Sequence, residues 1–228
     1  MRKILAILLC FCLLPLAASA SDSPKYVALT FDDGPSGRFT RRLLDGLAER
    51  DAKATFFLCG YRLRDYPEEA RRIFEEGHEI GIHGYSHDSM QYMSRRDIAR
   101  EIVDTRDLLP EGCRPQWLRP PGGCCSDGVR QVAECKNLGI LSWSLDPKDW
   151  NTDSTAAICR AVLSGVKDGD VVLLHDMSDS SVDAALVIVD ELQARGFEFV
   201  TVSELAKIRN VTVTPGQTYT AFPPTQEK

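Results

Sequence analysis

Short apolar runs alternate with amphipathic stretches along most of this 228-residue chain. Runs at 25–31, 53–58, 79–82, 116–119, 140–145, 170–175 and 197–201 have the length and near-continuous hydrophobicity of strands covered on both faces. Between them, apolar residues recur at the three- and four-residue spacing of helices that pack on a sheet. The repetition predicts β–α units wound around one core, an α/β fold with parallel strands. Seven strands are one short of an eightfold barrel, and about 185 residues is brief for a fold that usually takes about 250. The prediction is a distorted or incomplete (β/α) barrel with about seven parallel strands.

Local signals agree. Pro67 suits a first helical turn, and Ser94 and Ser126 are placed to cap helices that carry Ile98/Ile102 and Val129/Val132. Gly77, Gly139 and Gly196 stand where helices should stop. A helix from about 182 to 195 carries Ala185, Leu186, Val189 and Leu192 on one stripe, which assigns that face to packing.

The two ends of the chain read differently. Arg2 and Lys3 precede an apolar run at 4–18 that closes on Ala18-Ser19-Ala20, the pattern of an export leader cleaved after residue 20. The run is too short for a mature membrane span, so the protein is expected to be secreted or cell-wall associated, without stable membrane insertion. One domain then covers 21–206, and 207–228, rich in Thr and Pro, reads as a flexible C-terminal tail. Asn210-Val211-Thr212 in that tail matches a glycosylation acceptor. The formal charge of −6 becomes two units more negative without Arg2 and Lys3, which argues against a nucleic-acid partner. Cys59, Cys113, Cys124, Cys125, Cys135 and Cys159 follow the leader, an even set that predicts disulfides in an exported chain, with four of the six crowded around residue 119. No second domain or repeat is evident, and a monomer is expected.

Chemistry enters at the ends of the apolar runs. Asp32 and Asp33, His83, Arg119, Asp146 and His175 each close a predicted strand, so a barrel would bring them to one mouth. His83 and His87 are spaced so that two imidazoles can converge on one ion. Adjacent Asp32 and Asp33 repel each other unless a cation or strong donors stand nearby. A divalent metal on Asp33, His83 and His87 would relieve that repulsion and leave positions open for water and substrate.

Five motifs in order are similar to those of the NodB-homology polysaccharide deacetylases, carbohydrate esterase family four. They are Thr30-Phe31-Asp32-Asp33-Gly34-Pro35, His83-x3-His87, Arg119-Pro120-Pro121-Gly122, Asp146-Pro147-Lys148-Asp149-Trp150 and Leu173-Leu174-His175, together spanning essentially 25–206. The resemblance implies that Asp33, His83 and His87 hold a divalent ion, usually zinc. It makes Asp32 the general base, Arg119 its partner, His175 the general acid and Asp146 the group that orients and charges His175. Gly122 would offer its backbone N–H to the oxyanion, and Trp150 and Leu173 would line a pocket for the acetyl methyl. Asp149 would support the Trp150 loop, and His78 would be structural. The substrate class implied is an acetylated glycan, with peptidoglycan N-acetylglucosamine first and chitin oligomers second, and acetylxylan-type O-deacetylation as the alternative.

General chemistry asks for the same roles. An amide carbonyl needs polarising, and its amine leaves only once protonated. Donors must meet the developing oxyanion. Histidine, with an ordinary pKa of about 6.5, suits the acid's task beside a carboxylate. Two competing readings remain. A glycosidase could use Asp32 and Asp146 as its carboxylate pair, though this leaves the histidines without employment. A glycan-binding protein could keep the fold without turnover, though no base, ligand or acid is missing. The chain departs from the family at Gly84, where Ser or Thr usually steadies the metal loop, and at Gly122, where Tyr is common.

Overall fold

The computed structural model describes residues 24–225. The leader expected at 1–20 lies outside the described residues. The order of elements is β1 (Lys25–Asp32), α1 (Arg38–Ala48), β2 (Thr55–Leu58), α2 (Gly60–Asp65), α3 (Pro67–Glu75), β3 (Glu79–Ile82), α4 (Arg95–Arg106), β4 (Trp117–Leu118) and α5 (Asp127–Cys135). There follow β5 (Gly139–Leu141), α6 (Thr155–Leu163), β6 (Val171–His175), α7 (Asp179–Gln193), β7 (Phe197–Phe199), α8 (Val202–Ile208) and β8 (Thr218–Tyr219).

Every ladder is parallel, in the order β6-β1-β2-β3-β4-β5-β8, with β7 beside the start of β1. After β5 the chain leaves β4 and Leu145 bridges Val172 of β6. The predicted strand 140–145 is therefore divided between two neighbours, and the sheet curls until its ends nearly meet. This is the distorted barrel that the pattern predicts.

Strand alternation sorts the residues into two layers. Val27, Leu29, Phe31, Val172 and Leu174 point outward and share one core with Leu43, Leu47, Ile158, Val162, Ile188 and Val189 of the helices. Ala28, Phe57, Trp117, Leu141 and Val171 form another cluster with Val202 and Leu205. Ser94 and Ser126 cap α4 and α5 as expected, accepting from Asp97 N and Val129 N, and Pro67 opens α3. Gly139 differs from its prediction. Asn137, left-handed at φ 58°, follows the end of α5, and Gly139 opens β5 where a Cβ would meet Val213 Cγ1 at 2.6 Å.

The segment after α8, predicted to be a flexible tail, is docked on the sheet. β8 pairs with β5, Ala221 bridges Asp170, and Phe222 is buried, stacked on Tyr219 at 5.7 Å and edge-on to Trp117 at 6.1 Å. Burying one such ring is worth roughly 2 kcal/mol, enough to hold a stretch whose composition looks unstructured. The cysteines also differ from expectation. All six are free thiols, so no staple forms around residue 119; Cys59, Cys113 and Cys159 are buried, and Cys124 and Cys135 are exposed. Burial pushes the Cys113 thiol up to about 11, which makes it an inert packing group. No helix among the described residues is long and apolar enough to cross a membrane.

Candidate active site

Strand register brings the polar residues together at the C-terminal mouth. Asp32, the last residue of β1, lies beside His175, the last of β6. His83 directly follows β3, and Arg119 follows β4. Burial falls off outward, from Arg119 at 0 % side-chain exposure through Asp33 at 27 % to His87 at 43 %. The mouth is dry at its base and open at one rim.

Asp33 Oδ1 stands 3.2 Å from His83 Nε2 and 2.9 Å from His87 Nε2, yet it is buried and makes no hydrogen bond. An orphaned buried carboxylate oxygen is costly. The three ligand atoms lie within 4.8 Å of one another, a spacing that admits a cation between them. His83 Nδ1 donates to the Arg119 carbonyl at 2.7 Å, which aims Nε2 at Asp33. Asp33 and His87 both have left-handed backbones, φ 69° and 67°, conformations that non-glycine residues hold where the surroundings enforce them. Burial would raise the Asp33 carboxyl, but the imidazoles of His83 and His87 outweigh it and hold the group well below the usual carboxylate range. Asp33 in turn lifts His87 above its ordinary value. Two imidazole nitrogens and one carboxylate are a donor set suited to zinc and its divalent neighbours.

Arg119 is the floor of the site. Its NH1 donates to Asp32 Oδ1 at 2.6 Å and to Thr30 Oγ1 at 2.8 Å, while Nε and NH2 donate to the carbonyls of Leu141 and Ser142. The guanidinium lies over the Phe57 ring at 4.1 Å. Burial pushes it down from its ordinary value, and Asp32 opposes the shift. With Oδ1 occupied by Arg119, Asp32 Oδ2 is the oxygen turned to the ligands, 3.7 Å from His83 Nε2.

The His175 partner is a correction. Asp146, expected to orient and charge His175, instead accepts from the Lys148 backbone N–H at 2.7 Å and closes a turn. Lys148 is left-handed at φ 56°, and the chain doubles back so that Asp149 reaches the histidine. Asp149 Oδ1 accepts from His175 Nδ1 and Oδ2 from the His175 backbone N–H, both at 2.8 Å. Burial alone would push His175 down, but Asp149, aided by Asp32 and Asp33, outweighs it and lifts the imidazole to about 9. Both aspartates belong to one motif. The strand-end rule selected the nearer, and the adjacent Trp150, a rim residue, was the available signal for the other. Without Asp146 at the site, the carboxylate pair of the glycosidase reading is gone.

The remaining candidates are distributed around the mouth. Gly122, left-handed at φ 68°, has nothing within 4 Å of where a Cβ would stand, so the groove is open beside it. Trp150 is 63 % exposed at the rim, whereas Leu173 is buried in β6 on the same face as His175. His78 lies at the opposite end of β3 and accepts from Ala54 N, away from the ligands as expected.

Comparison with known proteins agrees with this geometry. Residues 19–140 match the polysaccharide deacetylase family model. The chain is 35 % identical to the peptidoglycan-N-acetylmuramic acid deacetylase PdaC of Bacillus subtilis, over 86 % of this chain and 42 % of the relative. It is 36 % identical to a peptidoglycan-N-acetylglucosamine deacetylase of Bacillus cereus, over 83 % of this chain and 92 % of that one. The chain thus spans about two fifths of the first relative's length and nearly all of the second's. Among solved structures, a family 4 acetyl xylan esterase from Clostridium thermocellum, in complex with a cobalt ion, superposes with a TM-score of 0.81 at 35 % identity, covering 87 % of this chain and 100 % of that one. A barrel mouth with this donor set and these motifs, matched by a relative along nearly its full length, places the chain in the polysaccharide deacetylase family.

Proposed function

We propose that the protein is a metal-dependent deacetylase that removes N-acetyl groups from an extracellular or cell-wall glycan, releasing acetate and leaving free amino sugar. Peptidoglycan N-acetylglucosamine is the first substrate and chitin-like oligomers the second. The observation that carries the reading is the pairing of Asp32, held by Arg119, with His175, held by Asp149, at the ends of neighbouring strands, with the orphaned Asp33 oxygen and two imidazoles beside them. The name of the Bacillus cereus relative supports the substrate. The cobalt ion of the esterase supports a divalent metal, for which zinc is the expected occupant.

A divalent ion on Asp33, His83 and His87 would supply Lewis acidity, polarising the acyl carbonyl and making water a stronger acid. Asp32 takes the proton of the attacking water on Oδ2, while Arg119 holds Oδ1 and supplies the counter-charge. The Gly122 N–H donates to the developing oxyanion. His175, held at Nδ1 by Asp149, gives its Nε2 proton to the departing nitrogen. Trp150 and Leu173 flank the acetyl methyl, and Gly122 leaves room for a long glycan chain.

The test is acetate release from purified peptidoglycan and from chitin oligomers by the chain without residues 1–20, with zinc and with excess chelator. Release from peptidoglycan that chelator abolishes is the expected result. Metal binding without release from either glycan would sink the reading. The likeness to an acetyl xylan esterase favours one second reading, O-deacetylation, so acetylated xylan belongs in the same assay.

A further inference from the structure

We propose that Glu101, on α4, is the positioning residue that sets the His83–His87 loop for metal binding. The inference rests on the reading of Asp33, His83 and His87 as metal ligands. Two histidines four residues apart converge only if the three residues between them hold one shape. Backbone accounting shows what holds it. The carbonyls of Gly84 and Tyr85 accept from the N–H groups of Gly60 and Tyr61 in the first turn of α2, both at 3.0 Å. On the other side, the N–H groups of Tyr85 and Ser86 donate to Glu101 Oε2 at 2.7 and 2.9 Å, and Ser86 Oγ donates to Oε1 at 3.1 Å. One carboxylate gathers three donors from two consecutive residues of the loop.

The tie runs to a rigid anchor. α4 is capped by Ser94 and seated by Ile98 and Ile102, both fully buried. Gly84 explains why the tie comes from a distant helix. Its φ is +83°, and a Cβ there would lie 3.0 Å from Met90 Cε and 3.1 Å from Glu101 Oε2. A Ser or Thr, which the family resemblance would put at this position, would be strained at this φ and would press its Cβ against both groups. The carboxylate bonds the loop and pairs with no Lys or Arg among the described residues, so its charge adds to a field that favours a dication.

The experiment is zinc affinity of the purified chain, measured by competition with a chromophoric chelator, beside the melting temperature of the metal-free protein. Glu101→Ala removes the acceptor, and Glu101→Asp withdraws it by one methylene while keeping the charge. Each should weaken zinc ten- to a hundredfold, the range for groups that orient metal ligands. Glu101→Gln should lose less than tenfold, because its amide oxygen still accepts both backbone N–H groups. Ala and Asp variants that stay folded and bind zinc within twofold of the parent overturn the proposal, as does a Gln variant that loses as much as Ala. If the Ala variant does not fold, the Asp variant decides. Lower melting temperatures with unchanged affinity would mark Glu101 as a structural residue of α4 and also overturn it. A parent chain that binds no zinc removes the metal reading itself, a separate failure.

Discussion

β3 has a histidine beside each of its ends, and the two are almost equally buried, His78 at 5 % and His83 at 2 % exposure. At the lower end, His78 accepts from Ala54 N and meets the edge of Phe56 at 5.5 Å. Burial, with Lys53 and Arg72 adding to it, pushes this imidazole down to about 4 and keeps it neutral. At the upper end, His83 gives its Nδ1 hydrogen to Arg119 and turns Nε2 to two carboxylates. Burial does not distinguish the two histidines. Placement of charge does, and the carboxylates of the site, Asp32, Asp33 and Asp149, all lie on the upper side. The barrel's mouth is thus built for chemistry and its floor for stability.

The largest effect expected is at the mouth. Asp32→Asn should lower acetate release about 10³-fold without loss of bound metal. It should also lower stability, because Arg119 is fully buried and would lose its counter-charge. Retention of most turnover in this variant would remove the base assignment. On the floor, Phe222→Ala should cost about 3 kcal/mol in urea denaturation while leaving kcat unchanged. A floor variant that lost rate and kept its stability would break the division.

Two further measurements sharpen it. Asp149→Ala should slow kcat about 10²-fold and move the alkaline limb of its pH profile to lower pH, since His175 loses the group that raises it. Asp146→Ala should change kcat by less than about threefold. Comparable losses in both would restore Asp146 to the mechanism. The smallest effect concerns His78. Its folded pKa of about 4 is below the ordinary 6.5, so the unfolded chain binds more protons between those values. The stability is fully present above pH 6.5 and is lost as pH falls toward 4, about 2 kcal/mol by pH 5. Urea midpoints at pH 7 and pH 5 for the parent and His78→Gln read this directly, and an equal acid loss in both would clear His78 of the role.

The strand-end pattern was enough to place Asp32, Asp33, His83, Arg119 and His175 at one mouth, because parallel β–α units leave all such residues on one side. It failed where a loop folds back on itself. Asp146 and Asp149 are chemically alike and three residues apart, and the left-handed Lys148 decides between them. Glu101 was invisible for a similar reason, since a glutamate on a helix reads as solvated surface until its loop partners are seen. Composition misled at the C-terminus, where Tyr219 and Phe222 dock a segment of otherwise polar character. Cysteine parity misled as well, because an even count says nothing of where the thiols lie.

The arrangement of β1 carries a consequence for how the chain assembles. β1 lies between β2 and β6, with β7 pairing its first residues on the edge opposite β6, and Thr30 bonds the carbonyl of Val172, a residue 142 positions later. As the chain emerges in order, β1 to β4 can pair as successive local units, but one edge of β1 stays open until β6 is made, and its first residues wait for β7 on the other. The floor closes later still, when Phe222 docks. Assembly is therefore limited by contacts between early and late segments, and a nascent chain that already carries every residue of the mouth cannot yet hold them in place.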